Sequence, residues 1–517
     1  MTEPSSSRVG RLARAALTVS VGSAISRVLG LGREQTIAAL FGRTAATDAF
    51  TAASRVPTTT YDLLVGGMIS AAFVPVLSTE AEKGEEAFQR LAGLLVSFFS
   101  VLLMLAVALV LVFSEPIVAA LTPFFDPETQ ALTLRLLRLM APSLFLLGMS
   151  GVAIGVLQAR RRFGAPAFGA AVFNLAFIVA AWTLRDRGIE ALALAIVAAA
   201  AAQLALQAVA LRDVRIRLSF DWRNPQLRRI GVLYLPVLLG LVVTNAGVYI
   251  DTILASSLPP GDLTAMRYAT TLTQLTLGVI AVAIGTAYLP ELSRVSANSP
   301  EYRSTLGEAL RAVLALTTPV VIALAILREP VVRVLFERGA FDSADTARTA
   351  LAYLAYSPGT PAAALDQILI FAFYARQDTL RPVLVGVASV GVYLVVALAL
   401  VQPLGMVGLT LANAAQWIGH LLMMAVLTAL LLRPISLRQV VAPLGRVGLA
   451  GAAAGLVWWL AGFLLPASAV LLVPALLVTA AAGGAVYLGM LWLLGAPEAR
   501  LASARLRLFL DRAARRK

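Results

Sequence analysis

Arg27, Arg33 and Glu34 lie inside the first long apolar stretch of this 517-residue chain, and Asp48, Arg55 and Asp62 recur every seven residues through the second. A charge at bilayer depth is costly unless it faces a bundle interior or a watery cavity, so such residues mark a path for a substrate or an ion. Guanidinium forks match the geometry of phosphate oxygens. Arg27, Arg33 and Arg55 are therefore candidate binders of an anionic group. On an ideal helix Arg27 and Glu34 share a face, while Arg33 points roughly 100 to 120° away. Gly30 and Gly32 are expected to loosen the helix enough for both arginines to reach one cavity. Asp48, Arg55 and Asp62 make a single stripe, with Pro57 as the expected kink. Glu34, Asp48 and Asp62 read as gating or orienting partners. Asp251, in a later apolar stretch with Asn245, reads either as an ion-coupling carboxylate or as half of a local hydrogen bond. Ion pairs that only lock helices together are the competing reading for all of these charges.

The elements that hold these residues must be membrane spans. Hydrophobic residues make up 59% of the chain and charged residues 14%, with a mean hydropathy of +0.84, which leaves too little polar surface for a soluble protein. Fourteen apolar stretches, from 19–40 and 50–78 through 230–257, 264–292 and 349–374 to 443–464 and 469–494, are each about long enough to cross roughly 30 Å of hydrocarbon. Arginine and lysine concentrate in the N-terminus and in every second connection. The positive-inside rule then places both termini in the cytoplasm. The formal charge of +14 is a topology signal rather than a nucleic-acid footprint. The first stretch lacks a small-residue cleavage pattern and reads as a retained helix.

Chemistry of other kinds finds no support. Cysteine is absent and His420 is the single histidine, which excludes disulfides, thiolate sites and paired-histidine metal sites. His420 reads as a helix-interface hydrogen bond, with a proton-relay role as the alternative. No Gly-rich phosphate loop carries its lysine, since the lysines are Lys83 and Lys517 alone. The expectation is a transporter without a catalytic motif, metal or cofactor.

An internal repeat organises the chain. Phe73-Val74-Pro75-Val76-Leu77-Ser78 returns as Tyr288-Leu289-Pro290-Glu291-Leu292-Ser293, and Ala159-Arg160 with Pro166 returns as Ala375-Arg376 with Pro382, at nearly the same offset. Two such pairs predict two pseudo-symmetric six-helix lobes in the same orientation, with a cavity between them and rocking motion as the route to alternating access. The fold class is all-α polytopic membrane protein, with about 14 transmembrane helices in two six-helix lobes plus two extra C-terminal helices. The expected boundaries are a cytoplasmic N-terminus at 1–14, an N-lobe at 15–212, a basic linker at 213–228, a C-lobe at 229–433 and the extra spans at 434–496. A basic amphipathic tail at 497–517 is suited to the anionic inner leaflet. The Gly-rich and acidic stretch at 337–345 predicts a turn followed by a helix cap at Ser343 or Asp345.

Ser26-Arg27-Val28-Leu29-Gly30-Leu31-Gly32-Arg33-Glu34, Ala46-Thr47-Asp48-Ala49-Phe50, Phe73-Val74-Pro75, Phe336-Glu337-Arg338-Gly339-Ala340-Phe341 and Phe373-Tyr374-Ala375-Arg376-Gln377-Asp378-Thr379 resemble the MurJ (MviN) family. These are lipid II flippases of peptidoglycan synthesis, within the multidrug/oligosaccharidyl-lipid/polysaccharide exporter superfamily, and the resemblance covers essentially the whole chain. It implies a cationic cavity for the pyrophosphate of an undecaprenyl-linked disaccharide-pentapeptide and a groove on the last two helices for its tail. It also implies the bacterial inner membrane, transport driven by membrane potential or a Na+ or H+ gradient, and contact with the cell-wall synthesis machinery. The family commonly has an arginine where Tyr61 or Asp62 stands and another where Thr271 stands. Arg267, one turn before Thr271, is the residue placed to supply that cation. A related exporter of another lipid-linked glycan or an amphipathic substrate, and a non-transporting cell-wall scaffold with the same fold, are the alternative functions.

Overall fold

The computed structural model describes residues 5–214, 218–295, 299–432, 437–466 and 468–496. The expected tail at 497–517 lies outside them. Among the described residues the regular structure is entirely helical, and the chain divides into two compact units. One unit takes residues 1–264 with 338–341, and the other takes 265–337 with 342–517.

The first unit contains α1 (Ser5–Phe41), α2 (Ala45–Tyr61), α3 (Val74–Lys83), α4 (Glu85–Val112), α5 (Ser114–Leu121), α6 (Pro127–Ala159), α7 (Gly164–Thr183), α8 (Glu190–Ala210) and α9 (Pro225–Ala255). Local sequence sets where these begin. Thr44 and Thr47 form a reciprocal capping box at the start of α2. Asp126 accepts from the Glu128 and Thr129 backbone N–H groups at α6, and Asn224 accepts from Gln226 at α9. Each cap satisfies donors that the first helical turn leaves without partners. Pro127 and Pro225 follow these last two caps directly, where a missing N–H costs nothing.

Small residues let helices approach closely. A Cβ on Gly22 would lie 2.4 Å from the Ala167 carbonyl oxygen, and Asn174 Nδ2 donates to the Ser26 carbonyl at 3.1 Å, so α1 docks on α7 through its own small-residue face. Gly30 and Gly32 face Asn174 and Ile178 on that same helix. They serve packing, within an α1 that is assigned as one continuous helix. Phe50, Phe73, Phe88, Phe99 and Leu103 are buried, with Phe73 and Phe99 edge to face at 5.0 Å. Outward, Val101, Met104, Leu105, Leu109 and Val112 leave α4 with an exposed apolar flank. Such a flank is stable only against lipid.

The second unit is built from α10 (Asp262–Arg294), whose first turn belongs to the first unit, and from α11 (Pro300–Ile326), α12 (Arg328–Phe336), α13 (Ser343–Tyr356), α14 (Gly359–Tyr374), α15 (Leu380–Leu404), α16 (Met406–Leu432), α17 (Leu437–Gly462) and α18 (Ala469–Leu493). Its core has two parts. Leu306, Ala309 and Val313 of α11 meet Ala364, Ile368 and Ala372 of α14, and Ala315 lies with Ala450, Ala454 and Trp458 of α17.

Eleven helices among the described residues are long and apolar enough to cross a membrane. Three of the fourteen expected spans fall outside that set. The first, within α1, carries Arg27, Arg33 and Glu34 in mid-stretch. The eighth lies in α10. The tenth is divided into α13 and α14 at Ser357-Pro358, where proline cannot donate to the helix ladder. Two short helices, α5 and α12, were not expected from periodicity. The cap before α13 is Asp342 rather than Ser343 or Asp345. Asp342 accepts from the Asp345 N–H at 2.9 Å, and Asp345 closes the box from the third helical position.

Candidate functional site

The six charges singled out in the first two apolar stretches all belong to the first unit. On α1, Arg33 Nη2 lies 3.0 Å from Glu34 Oε1, and Glu34 is buried at 5% exposure. The Arg33 guanidinium also stands 5.9 Å from the centroid of the Phe177 ring on α7, within cation–π reach. Its Nε is buried and finds no acceptor in the protein. Arg33 thus keeps a buried donor uncommitted while two contacts hold the group in place. Arg27 is exposed, earlier on the same helix.

On α2 the stripe of three is resolved into three different environments. Asp48 is buried at 3% exposure, and its carboxylate accepts from Gly261 N at 2.5 Å, Thr264 N at 2.8 Å and Thr264 Oγ1 at 2.6 Å. It caps the start of α10 from another helix, supplying the acceptor that the loop does not. These three donors account for three of the roughly four acceptor sites of the carboxylate. Beside it, Arg43 Nη1 reaches Asp262 Oδ1 and the Pro260 carbonyl, each at 3.3 Å. Gly261 makes the close approach possible. It sits at φ +88°, and a Cβ there would fall 2.6 Å from the Arg43 carbonyl oxygen.

Arg55 is half-buried and interacts electrostatically with Tyr249 of α9, whose side chain also hydrogen-bonds Thr59. Asp62 opens a departure from α-helical geometry. Residues Asp62–Gly66 and Ile69–Phe73 are π-helical, and Gly67 N bonds back five residues to the Asp62 carbonyl. Pro57 does not break the helix, which continues to Tyr61. The π-helical stretch begins five residues after Pro57. Tyr234 of α9 stabilises the widened segment, its hydroxyl donating to the Leu63 carbonyl at 2.5 Å. A Cβ on Gly67 would meet Leu241 Cδ1 at 2.5 Å and Tyr234 and Val237 at 3.3 Å, so a larger residue here requires the α9 side chains to shift. π-Helical turns inside α-helices recur at functional sites.

Among the other expected residues, Asn245 donates to the Leu241 carbonyl of its own helix at 2.8 Å. Asp251 is half-buried on α9. Arg267 is half-buried on α10 in the second unit, and Thr271 donates to the Arg267 carbonyl at 3.1 Å. His420 makes a helix-interface hydrogen bond, with Nδ1 2.8 Å from Asp366 Oδ1. Sequence reasoning missed Tyr234, Tyr249 and Asp366. The first two carry no charge to flag them. Asp366 was legible only as a lone carboxylate in an apolar run.

Outside the spans, Arg162 forms two hydrogen bonds to Asp213, at 2.7 and 2.5 Å. This contact holds the Asp213 carboxyl down at about 2.

A many-span helical bundle with ionisable groups held among its helices is the construction of a membrane transporter. The family model described as lipid II flippase MurJ matches residues 37–479. A probable lipid II flippase MurJ from Rhizobium meliloti (strain 1021) is 32% identical, over 79% of each chain. A lipid II flippase MurJ from Burkholderia cenocepacia is 31% identical, over 78% of this chain and 80% of that one. The chain belongs to the lipid II flippase MurJ family. A solved lipid II flippase MurJ in an inward closed conformation shares the fold at TM-score 0.78 and 21% identity, covering 92% of this chain and 98% of that one. An inward-facing multidrug resistance MATE transporter of the MOP superfamily shares it more distantly, at TM-score 0.65 and 14% identity, over 81% and 98%. The protein is a multi-pass protein of the bacterial inner membrane.

Proposed function

We propose that this protein flips lipid II, the undecaprenyl-pyrophosphate-linked peptidoglycan precursor, from the inner to the outer leaflet by alternating access. The observation that carries this reading is the family match across residues 37–479. Physical chemistry supports the substrate class, because a pyrophosphate leaving water needs fixed cationic donors in place of its hydration. Arg33 is the strongest candidate, since it is held by Glu34 and Phe177 while its buried Nε has no acceptor in the protein. Arg27 and Arg55 in the first unit, and Arg267 in the second, are the further candidate cations. Glu34 and Asp62 are the candidate gating groups.

The protein works as a transporter and makes no covalent change in its cargo. Both termini face the cytoplasm, as the arginine distribution requires. Two six-span lobes at 15–212 and 229–433, joined by the linker at 213–228 and followed by the spans at 434–496, are the working organisation. Membrane potential or an ion gradient supplies the energy, with Asp251 as one candidate coupling carboxylate. The cell-wall synthesis machinery is the expected partner.

The test is to deplete the endogenous flippase of a bacterium and express this chain in its place. Restored growth with lipid II exposed on the outer leaflet is the expected result. Failure at normal membrane expression would overturn the reading. Arg33→Ala that supports growth and exposure as well as wild type would remove Arg33 from the site.

A further inference from the structure

Asp366 on α14 and His420 on α16 form a buried ionisable pair, and both residues belong to the second unit. The Asp366 side chain has no exposed surface and that of His420 is 9% exposed, so the pair is shielded but not sealed. His420 lies near the middle of the candidate span Met406–Leu431, where ionisable groups cost most. One carboxylate oxygen, Oδ1, faces the imidazole at 2.8 Å, while Oδ2 is buried and receives no hydrogen bond from the protein. An unfilled buried acceptor is costly, so Oδ2 leaves the pair able to take a further donor or a proton. On the other side of the ring, Gly386 of α15 leaves space. A Cβ built there would still be 4.0 Å from His420 Nε2.

The surroundings isolate the pair electrically. α16 carries no other titratable residue. The electrostatic partners of Asp366 are His420 and, on its own helix, Tyr374. Of the helices packed on these two, α15 carries Arg381 and Tyr393, and α13 carries Asp345, Arg348, Tyr353 and Tyr356. α11 carries Glu301, Tyr302, Arg303, Glu308 and Arg311, and the α10 face of this core carries Tyr288. With the carboxylate ionised and the imidazole neutral, the pair bears one negative charge. A proton on the imidazole makes it neutral overall. A low-dielectric interior separates two such states strongly, and histidine is the side chain whose ordinary titration, near about 6.5, falls in the physiological range.

We propose that Asp366 and His420 form a proton-binding site in the second unit, and that its loading and unloading are coupled to transport. The coupling rests on the flippase reading above, whereas proton binding does not.

Because the chain has a single histidine, selective labelling of histidine gives one imidazole signal in the NMR spectrum of the purified full-length protein. That signal is expected to respond to pH between the two charge states, and to respond differently in Asp366→Asn. An imidazole that does not titrate between about pH 4.5 and 9, or one indifferent to Asp366→Asn, would overturn the site. In proteoliposomes loaded with lipid II, the wild-type flipping rate should change about threefold or more across pH 5.5 to 7.5. His420→Gln, which still hydrogen-bonds Asp366 but cannot titrate, should flatten that profile while keeping the same elution on size exclusion. Flipping with one and the same pH profile in wild type and His420→Gln would overturn the coupling. No flipping in wild type would overturn the flippase reading, and the coupling with it, while the NMR titration would still decide the site.

Discussion

Two long helices of this protein carry the same repeat motif yet are built differently. Phe73-Val74-Pro75 ends a segment that passes from α2 through two π-helical stretches into α3, whereas Tyr288-Leu289-Pro290 lies inside the single unbroken helix α10. At the same offset, Gly66 and Gly67 correspond to Ala281 and Val282, and Pro57 corresponds to Leu272. Proline removes one donor and the glycines lower the cost of leaving α-helical geometry. Tyr234 then takes up a carbonyl that the widened turn presents. Where the sequence has alanine and valine, no such opening is available. The motif at the end of a span therefore says nothing about the regularity of the span, which is decided by the residues before it and by the neighbour that receives them.

The two units agree more closely at another pair of repeat positions. Among the described residues, Arg161 at φ +57° and Gln377 at φ +60° are the non-glycine residues with left-handed backbone. Both sit in the turn that closes a long helix. Arg162 N bonds to the Leu157 carbonyl and Asp378 N to that of Phe373, while Arg161 N and Gln377 N bond to Gln158 and Tyr374. These are matching Schellman closures. The backbone repeats here although Arg and Gln differ.

The sharpest way to break the contrast is at the cap of α10. Asp48→Ala leaves the Gly261 and Thr264 donors buried without their acceptor, and should cost about 3 kcal/mol or more. A large fall in thermal stability in detergent, with loss of complementation, is the expected result. Wild-type stability would show that the cap is dispensable. Next in size, Gly67→Ala forces a methyl against Leu241 and should cost about 1–3 kcal/mol by overpacking. Ala281→Gly in α10 should cost only about 1 kcal/mol, the loss of helix propensity. Equal effects at the two positions would remove the distinction drawn above.

Tyr234→Phe removes the hydroxyl that meets the Leu63 carbonyl, and should cost about 1 kcal/mol. Exchange of the backbone amides at 62–73 should rise, with no change at 277–288. Arg161→Gly and Gln377→Gly relieve the left-handed backbone and should each stabilise by up to about 1 kcal/mol, to a similar extent if the two turns are equivalent.

The smallest effect concerns pH. The folded-state carboxyl of Asp213 lies at about 2, below its ordinary value. The stabilisation it brings is therefore full above about pH 4 and is lost as pH falls through about 2. Arg162→Gln should return the Asp213 titration to the ordinary carboxylate range by NMR, with little change in stability, because the pair is exposed.

The sequence by itself determined that this is a polytopic helical membrane protein, that charges are held among its helices, and which family it belongs to. Hydrophobic length, charge distribution and local motifs are properties of contiguous residues, so they survive without coordinates. The helix cap before α13 is local in the same way, although it was expected at Ser343 or Asp345 and lies at Asp342. Apart from Arg33 with its chain neighbour Glu34, the partners of the charges were decided only by tertiary structure. Asp48 and Arg55 are seven residues apart on one helical stripe, yet one accepts from three donors at the start of α10 and the other lies beside Tyr249. A helical period fixes which face a side chain occupies but not what that face meets. The same holds for Asp366 and His420, two isolated ionisable residues in the sequence that α14 and α16 bring to 2.8 Å. Contacts between residues far apart in the chain depend on how helices pack, and packing is set by the shape of every neighbour at once.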